Sequence, residues 1–246
     1  MKAEKLKIEK KGIFERGTFY LKAPPHLANA LRRILLSEIK VLAIEDVKIE
    51  LNDSALYDGV LAHRLGLIPI KTPKGVTEAE FEIDAEGPSV VYSKDLESKT
   101  KGVEVALKNI PLTYLKEGTK LKAKANAILG NGKEHMKWQA GLAAYQEYPI
   151  VKIDKRKADY PIGIAECPRK VFGGTKSDPK VENLENCNLC MACVRAVSDD
   201  SIIVEGEKDH YIFTLESFGQ KDVKTLLREA GEILTEAAKE VTNLKK

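Results

Sequence analysis

Pro24-Pro25-His26-Leu27-Ala28-Asn29-Ala30-Leu31-Arg32-Arg33-Ile34-Leu35-Leu36-Ser37 is the stretch around which the chain is organised. Proline suits the first helical position, because its missing N–H has no helical partner there and its φ is already helical. From that point Leu27, Ala30, Leu31, Ile34 and Leu35 recur at i, i+3, i+4, i+7 and i+8. That spacing draws a single apolar stripe along a helix and leaves Arg32 and Arg33 off it. A second stripe lies near the other end of the 246-residue chain. After Val223 the apolar positions are Leu226, Leu227, Ala230, Ile233, Leu234, Ala237, Val241 and Leu244, opposite Lys, Arg and Glu. This predicts an amphipathic helix of roughly 20 residues. The two stripes either cover each other or share their surface with a partner.

Outward from the first helix, the signals turn to strands. Gly17-Thr18-Phe19-Tyr20-Leu21 has strand-rich composition, and residues 1–21 are expected to be extended. Val47, Ile49 and Leu51 alternate within a predicted strand from Val41 to Leu51. Leu61 to Gly66 is expected to be a short helix stopped by its glycine, followed by extended chain to Ile70 because Pro69 disfavours helix at Ile68. Between Lys120 and Leu129, Leu121, Ala123, Ala125, Ala127 and Leu129 alternate with Lys120, Lys122, Lys124 and Asn126. That is the pattern of a half-buried strand. Gly130-Asn131-Gly132 reads as a turn, and Gly173 to Pro179 reads as a loop. A strand is expected over Ser201 to Val204.

Cysteine usage is confined to one region: Cys167, Cys187, Cys190 and Cys193. The C-x2-C-x2-C triplet can wrap three corners of a cubane iron–sulfur cluster, and a remote cysteine followed by proline, here Cys167-Pro168, can supply the fourth. In a two-cluster ferredoxin run the triplet continues to a fourth cysteine that serves the other cluster. That position is Val197 here, and counting back from Cys167 by the same rule lands on Gly163, Tyr160 and Lys157. One cluster therefore has all its ligands, and a second would have lost its own. The expected cofactor is one four-iron cluster, with a three-iron form after oxidation. Zinc also takes four thiolates, usually as two paired knuckles. Disulfides or free thiols remain open as well.

Composition narrows the function classes. Charged residues make up 31% of the chain and there are only three glutamines, a balance that points to a hot-living source. The net charge of +3 is too small for a chain that holds nucleic acid alone. Lys152-Ile153-Asp154-Lys155-Arg156-Lys157 is the most basic patch and reads as solvated surface rather than a nucleic-acid site. Met1-Lys2-Ala3-Glu4-Lys5 leads into no apolar run, so no signal peptide is expected. No stretch reaches about 18 apolar residues, so no membrane span is expected and the location is cytoplasmic. His26, His63, His135 and His210 show no ligand spacing. There is no phosphate-binding loop, nucleophile elbow or Asp-x-Asp-x-Asp run, so no catalytic residue is assigned.

His26 to Ser37 resembles the first-helix signature of RNA polymerase α-like subunits. Tyr57-Asp58-Gly59-Val60-Leu61-Ala62-His63-Arg64-Leu65-Gly66-Leu67-Ile68-Pro69-Ile70 is similar to the segment that follows it in the archaeal D-type subunits and their eukaryotic counterparts. His135-Met136-Lys137-Trp138-Gln139 and Phe213-Thr214-Leu215-Glu216-Ser217 are similar to further family segments, so the resemblance spans nearly the whole chain.

The resemblance implies an α+β fold. Residues 1–50 with 207–246 would form a discontinuous dimerisation domain of two helices on a sheet. Residues 51–165 would form a strand-rich insert domain, and 166–206 a small ferredoxin-like iron–sulfur insert. It also implies a non-catalytic assembly platform. The chain would pair with the small α-like subunit L and dock the second-largest and small polymerase subunits, with no sequence-specific nucleic-acid binding of its own. The expected partner face is Leu27, Ala30, Leu31, Ile34 and Leu35 with Leu226, Leu227, Ala230, Ile233 and Leu234. The polymerase active site would lie in the two largest subunits. A competing function is an electron carrier or redox-enzyme subunit built around the cluster, but no dinucleotide-binding Gly-x-Gly-x-x-Gly accompanies the cysteines.

Overall fold

The computed structural model describes residues 1–175 and 178–243; Leu244, the last position of the C-terminal stripe, lies outside the described residues. The elements are β1 (Lys2–Lys11), β2 (Phe14–Lys22), α1 (Pro25–Ser37), β3 (Lys40–Asn52), α2 (Asp58–Gly66), β4 (Glu78–Glu86), β5 (Ser89–Tyr92), β6 (Glu97–Ser98), β7 (Pro111–Leu115), β8 (Lys120–Asn131), β9 (Gly141–Ile153), α3 (Tyr160–Ala165), β10 (Phe172–Gly174), β11 (Pro179–Val181), α4 (Ala192–Arg195), β12 (Ile202–Ser217) and α5 (Val223–Asn243). This is an α+β chain rich in strands. They form two four-stranded sheets, ordered β1-β2-β12-β9 and β3-β8-β4-β6, and two small ones, β5-β7 and β10-β11.

The described chain forms two compact units. One holds Met1–Leu6, Phe19–Ala28 and Tyr145–Phe213; the other holds Lys7–Thr18, Asn29–Ala144 and the chain from Thr214 on. These differ from the three domains expected from the sequence. The expected boundaries at 50/51 and 206/207 fall inside β3 and β12, and the borders of the two units fall inside β2, β9 and β12. The 165/166 boundary falls inside the first unit, which takes in the whole cysteine segment.

In the second unit β8 is the middle of its sheet, antiparallel to β3 and β4. Its alternation is the predicted one: Leu121, Ala123, Ala125 and Ala127 are buried, while Lys120 and Lys124 are exposed. Phe81 and Ile83 of β4 share that buried face, and α2 adds Leu61 and Leu65 to the same core. On the outer face lysines meet carboxylates across strands: Lys120 with Glu86 at 3.1 Å, Lys122 with Asp84 at 3.7 Å. Such exposed pairs contribute about 0–1 kcal/mol each.

Three local expectations are corrected. Helix α2 begins at Asp58, three residues before the expected start. Gly66 is its last residue rather than a left-handed cap, and Leu67 follows in right-handed helical geometry. Gly130 and Asn131 still pair with Val41 and Lys40, so the turn starts later. Gly130 is needed for closeness instead: a Cβ there would lie 2.5 Å from the Trp138 ring, whose Nε1 donates to the Ile128 carbonyl at 3.1 Å. Finally, Gly173 and Gly174 are strand residues, antiparallel to Lys180 and Pro179.

In the first unit, aromatic side chains bind β2, β12 and β9 together. Phe19 stacks on Phe213 with centroids 5.1 Å apart, and Phe213 on Tyr145 at 5.0 Å. Tyr20 follows Phe19 in β2 and so points to the opposite face. There it meets Tyr148 at 5.8 Å, and Tyr148 stacks on His210 at 4.5 Å.

Candidate metal centre and exposed helix faces

The cysteines occupy four different local settings. Cys167 follows α3, and Cys187 follows a 3-10 turn, Leu184–Asn186. Cys190 lies in the connecting loop and Cys193 in α4. All four line one narrow cavity with Pro168, Val171, Phe172, Met191, Val151 and Val204. None is in a disulfide. Leu189 and Met191, the two neighbours of Cys190, have φ of +56° and +61°. Left-handed geometry at residues with a side chain costs about 1–3 kcal/mol each and persists where the surroundings impose it. Here it falls on both sides of Cys190, in the loop between the Leu184–Asn186 turn and α4. Burial pushes the Cys187 and Cys193 thiols up, and the neighbouring cysteines push them further.

Cys167, Cys187, Cys190 and Cys193 bring four thiols to one cavity, the donor number that a four-iron cluster or a zinc ion takes. A single zinc needs its sulfurs about 2.3 Å from one point. Among the described residues, no three Cys, His, Asp or Glu side chains are arranged to hold one metal ion. A cubane sets its thiolates further apart, around a body several atoms across. Gly163, one of the positions where a second cluster's ligands would fall, has no room for a side chain. A Cβ on Gly163 of α3 would lie 2.6 Å from Ile202 Cδ1, 2.7 Å from the Cys193 carbonyl oxygen and 2.9 Å from Val197 Cγ1.

Two side chains from the sheet reach the cysteine segment. Gln146 Nε2 of β9 donates to the Cys187 carbonyl at 2.8 Å. The Tyr20 hydroxyl donates to the Glu185 carboxylate in the preceding turn. Burial first, and then Glu185, pushes the Tyr20 hydroxyl pKa well up, so it stays a donor. Lys5 sits 5.5 Å from the Tyr20 ring, and Glu207 pairs with His210 at 2.7 Å. The sequence carried no signal for these contacts, because Tyr20 and Glu185 are 165 residues apart.

The helix stripes divide into inner and outer positions. Leu31, Ile34 and Leu35 of α1, and Leu226 and Ala230 of α5, are buried within this chain. Leu27, Ala30, Leu227, Ile233 and Leu234 are only half-buried. Beyond Leu234 every described residue of α5 is exposed, with Val241 at 62%. Periodicity marks a stripe but does not say who covers it, so the expected partner face narrows to the half-buried set. The start of α5 is firmly built. Glu15 Oε2 accepts from the Val223 N–H at 3.0 Å, Asp222 Oδ1 accepts from the Thr225 N–H at 2.8 Å, and Lys221 pairs with Glu229 at 2.7 Å. Carboxylates there satisfy orphan N–H groups and complement the helix dipole.

The basic patch is neutralised locally: Arg156 pairs with Asp154 at 2.9 Å, Lys155 with Asp178, and Lys157 donates to the Asp199 carbonyl. No helix among the described residues is long and apolar enough to cross a membrane.

Two amphipathic helices with partly uncovered outer faces, in a strand-rich α+β chain, point to a protein that works by pairing. The sequence pattern of the RNA polymerase Rpb3/Rpb11 dimerisation domain matches residues 21–238, and the chain belongs to that family. It is similar to DNA-directed RNA polymerase subunit Rpo3 of Methanosphaera stadtmanae, at 38% identity over 87% of this chain and 88% of the relative. Rpo3 of Pyrobaculum calidifontis is 37% identical over 92% of this chain and 93% of its own length. Rpo3 of Methanosarcina acetivorans is 33% identical, covering 87% and 88%.

Proposed function

We infer that this chain is the non-catalytic platform subunit of an archaeal DNA-directed RNA polymerase, pairing with the small α-like subunit L and docking the second-largest and small subunits. The observation that carries this reading is the dimerisation-domain match over 21–238, combined with half-buried apolar residues on both helices. Leu27 and Ala30 of α1 and Leu227, Ile233 and Leu234 of α5 are the residues that pair with the partner. Co-expression with subunit L and gel filtration test it. Leu227→Asp with Leu234→Asp should abolish the heterodimer while the chain alone stays folded; unchanged heterodimer in that variant refutes the assignment.

The cysteines hold one iron–sulfur cluster in this reading. Four thiols on one cavity and the C-x2-C-x2-C spacing with a remote Cys-Pro support it. When bound, the cluster supplies a cross-link joining α3, the triplet loop and α4. Cys167, Cys187, Cys190 and Cys193 are the residues that hold it, and their thiols release protons on binding. Its job is structural, because a region with so thin a core gains folding energy from its metal. Iron and zinc analysis of anaerobically purified protein decides the matter. About four irons per chain are expected, whereas one zinc and no iron would exclude the cluster.

A further inference from the structure

We propose that Tyr20 and Gln146 are positioning residues for the metal centre, holding the segment that ends in Cys187 in place before any metal binds. This rests on the reading that the cysteines bind a cluster. The argument starts from the sheet. Tyr20 on β2, His210 on β12 and Tyr148 on β9 come from strands that are neighbours in the order β2-β12-β9. Their rings form one continuous set, with Tyr148 parallel to His210 within 9° and both tilted against Tyr20. Gln146 lies two residues before Tyr148 on the same strand and so on the same face.

From this face two hydrogen bonds leave for the cysteine segment, one to the side chain of Glu185 and one to the backbone of Cys187 itself. Their spacing brackets the 3-10 turn Leu184–Asn186 that delivers the ligand. Within the cysteine segment the same stretch is tied at its backbone, by the Asn183 N–H to the Val171 carbonyl at 3.0 Å and by Arg169 Nε to the Asn186 carbonyl at 3.2 Å. Among the described residues its buried cluster is Val171, Cys187, Cys193, Ile202 and Val204, two of them thiols, with half-buried side chains such as Val151 and Phe172 packed against it. Groups that orient metal ligands typically alter affinity by 10–100-fold when removed. Neither Tyr20 nor Gln146 is adjacent in sequence to a cysteine, and both belong to the aromatic sheet, which is built without metal.

The test uses the full chain and two variants that keep shape while removing the donor, Tyr20→Phe and Gln146→Met. Tyr20→Phe retains the ring that contacts Tyr148, so the sheet face survives. In metal-free protein, alkylation of Cys187 by a maleimide should run about tenfold faster in each variant than in wild type. Cys193, anchored in α4, should react at an unchanged rate; equal acceleration of both thiols would mean general loosening and would overturn the inference. So would wild-type alkylation rates at Cys187 in both variants. In iron-loaded protein, a ferrous-iron chelator should strip the variants about tenfold faster. Wild-type protein that takes up no iron, while Cys187 still becomes exposed in the variants, would remove the cluster reading and leave the positioning of Cys187 standing.

Discussion

The sheet core around β8 and the cysteine segment achieve order by different means. The first gathers nineteen buried residues, from Leu42 to Ala127, none of them a cysteine. Each large aliphatic or aromatic side chain there removes enough apolar surface to contribute roughly 1.5–3 kcal/mol. The second has five buried residues, two of them thiols. Segments of fewer than about 40 residues with so little core usually need a metal or a cross-link. One chain thus contains a region stabilised by area and a region stabilised by linkage, and the two should fail under different insults.

The strongest test of that contrast is Phe81→Ala. Phe81 is fully buried in β4, and its truncation should lower global stability by about 3–5 kcal/mol. The midpoint of urea denaturation reads this; a change under about 1 kcal/mol would mean the β8 core is not what holds the second unit. Next in size, Cys187→Ser with Cys193→Ser should speed hydrogen exchange across residues 160–201 by at least about tenfold, leaving β3, β8 and β4 protected. Exchange that accelerates equally in β8 would erase the distinction between the regions. A smaller effect is expected from Val241→Asp on the exposed end of α5. Stability of the free chain should move by no more than about 0.5 kcal/mol, while binding of the small subunit, followed by calorimetry, should weaken. Equal binding would remove that end of the helix from the partner face.

The smallest expected effect comes from Asp154, whose carboxyl is held down at about 2 by hydrogen bonds from Arg156, side chain first and then backbone. A depressed carboxylate adds stability above its unfolded value of 3.8 and loses it as pH falls toward 2. Because the group is fully exposed, Asp154→Asn should leave the midpoint at pH 7 almost unchanged and flatten acid sensitivity slightly between pH 4 and 2. A large shift at pH 7 would show that this pair is part of the cysteine region's support.

Much of this was legible in the sequence wherever a period could be read. The α1 stripe and the alternation of β8 follow from spacing alone, and the cysteines announced their own region. What escaped were borders and long-range supports. Residues 201–204 read as a short strand, yet Ile202 opens a sixteen-residue strand that runs on through a polar stretch to Ser217. Gly130 read as a turn because the demand of Trp138 on its space is not local. Tyr20 and Gln146 looked like ordinary strand residues, since nothing near them in sequence names Glu185 or Cys187. The helix stripes were found at once, but the division of Leu31 from Leu27, or Leu226 from Leu234, depends on what covers each.

The strand order β1-β2-β12-β9 also carries a timetable. The last strand to be synthesised sits between two made earlier, so β2 can pair with β1 but cannot find its other neighbour until β12 has been added. At about 5–20 residues per second, β2 waits roughly 10–40 s after its own synthesis. Residues 40–131 hold β3, β4 and β8 and can pair during that interval. A nascent chain therefore has its insert core in hand well before the sheet that carries Tyr20 and Gln146 can close. A ribosome that stalls before β12 would release a chain already folded in its middle and open at both ends.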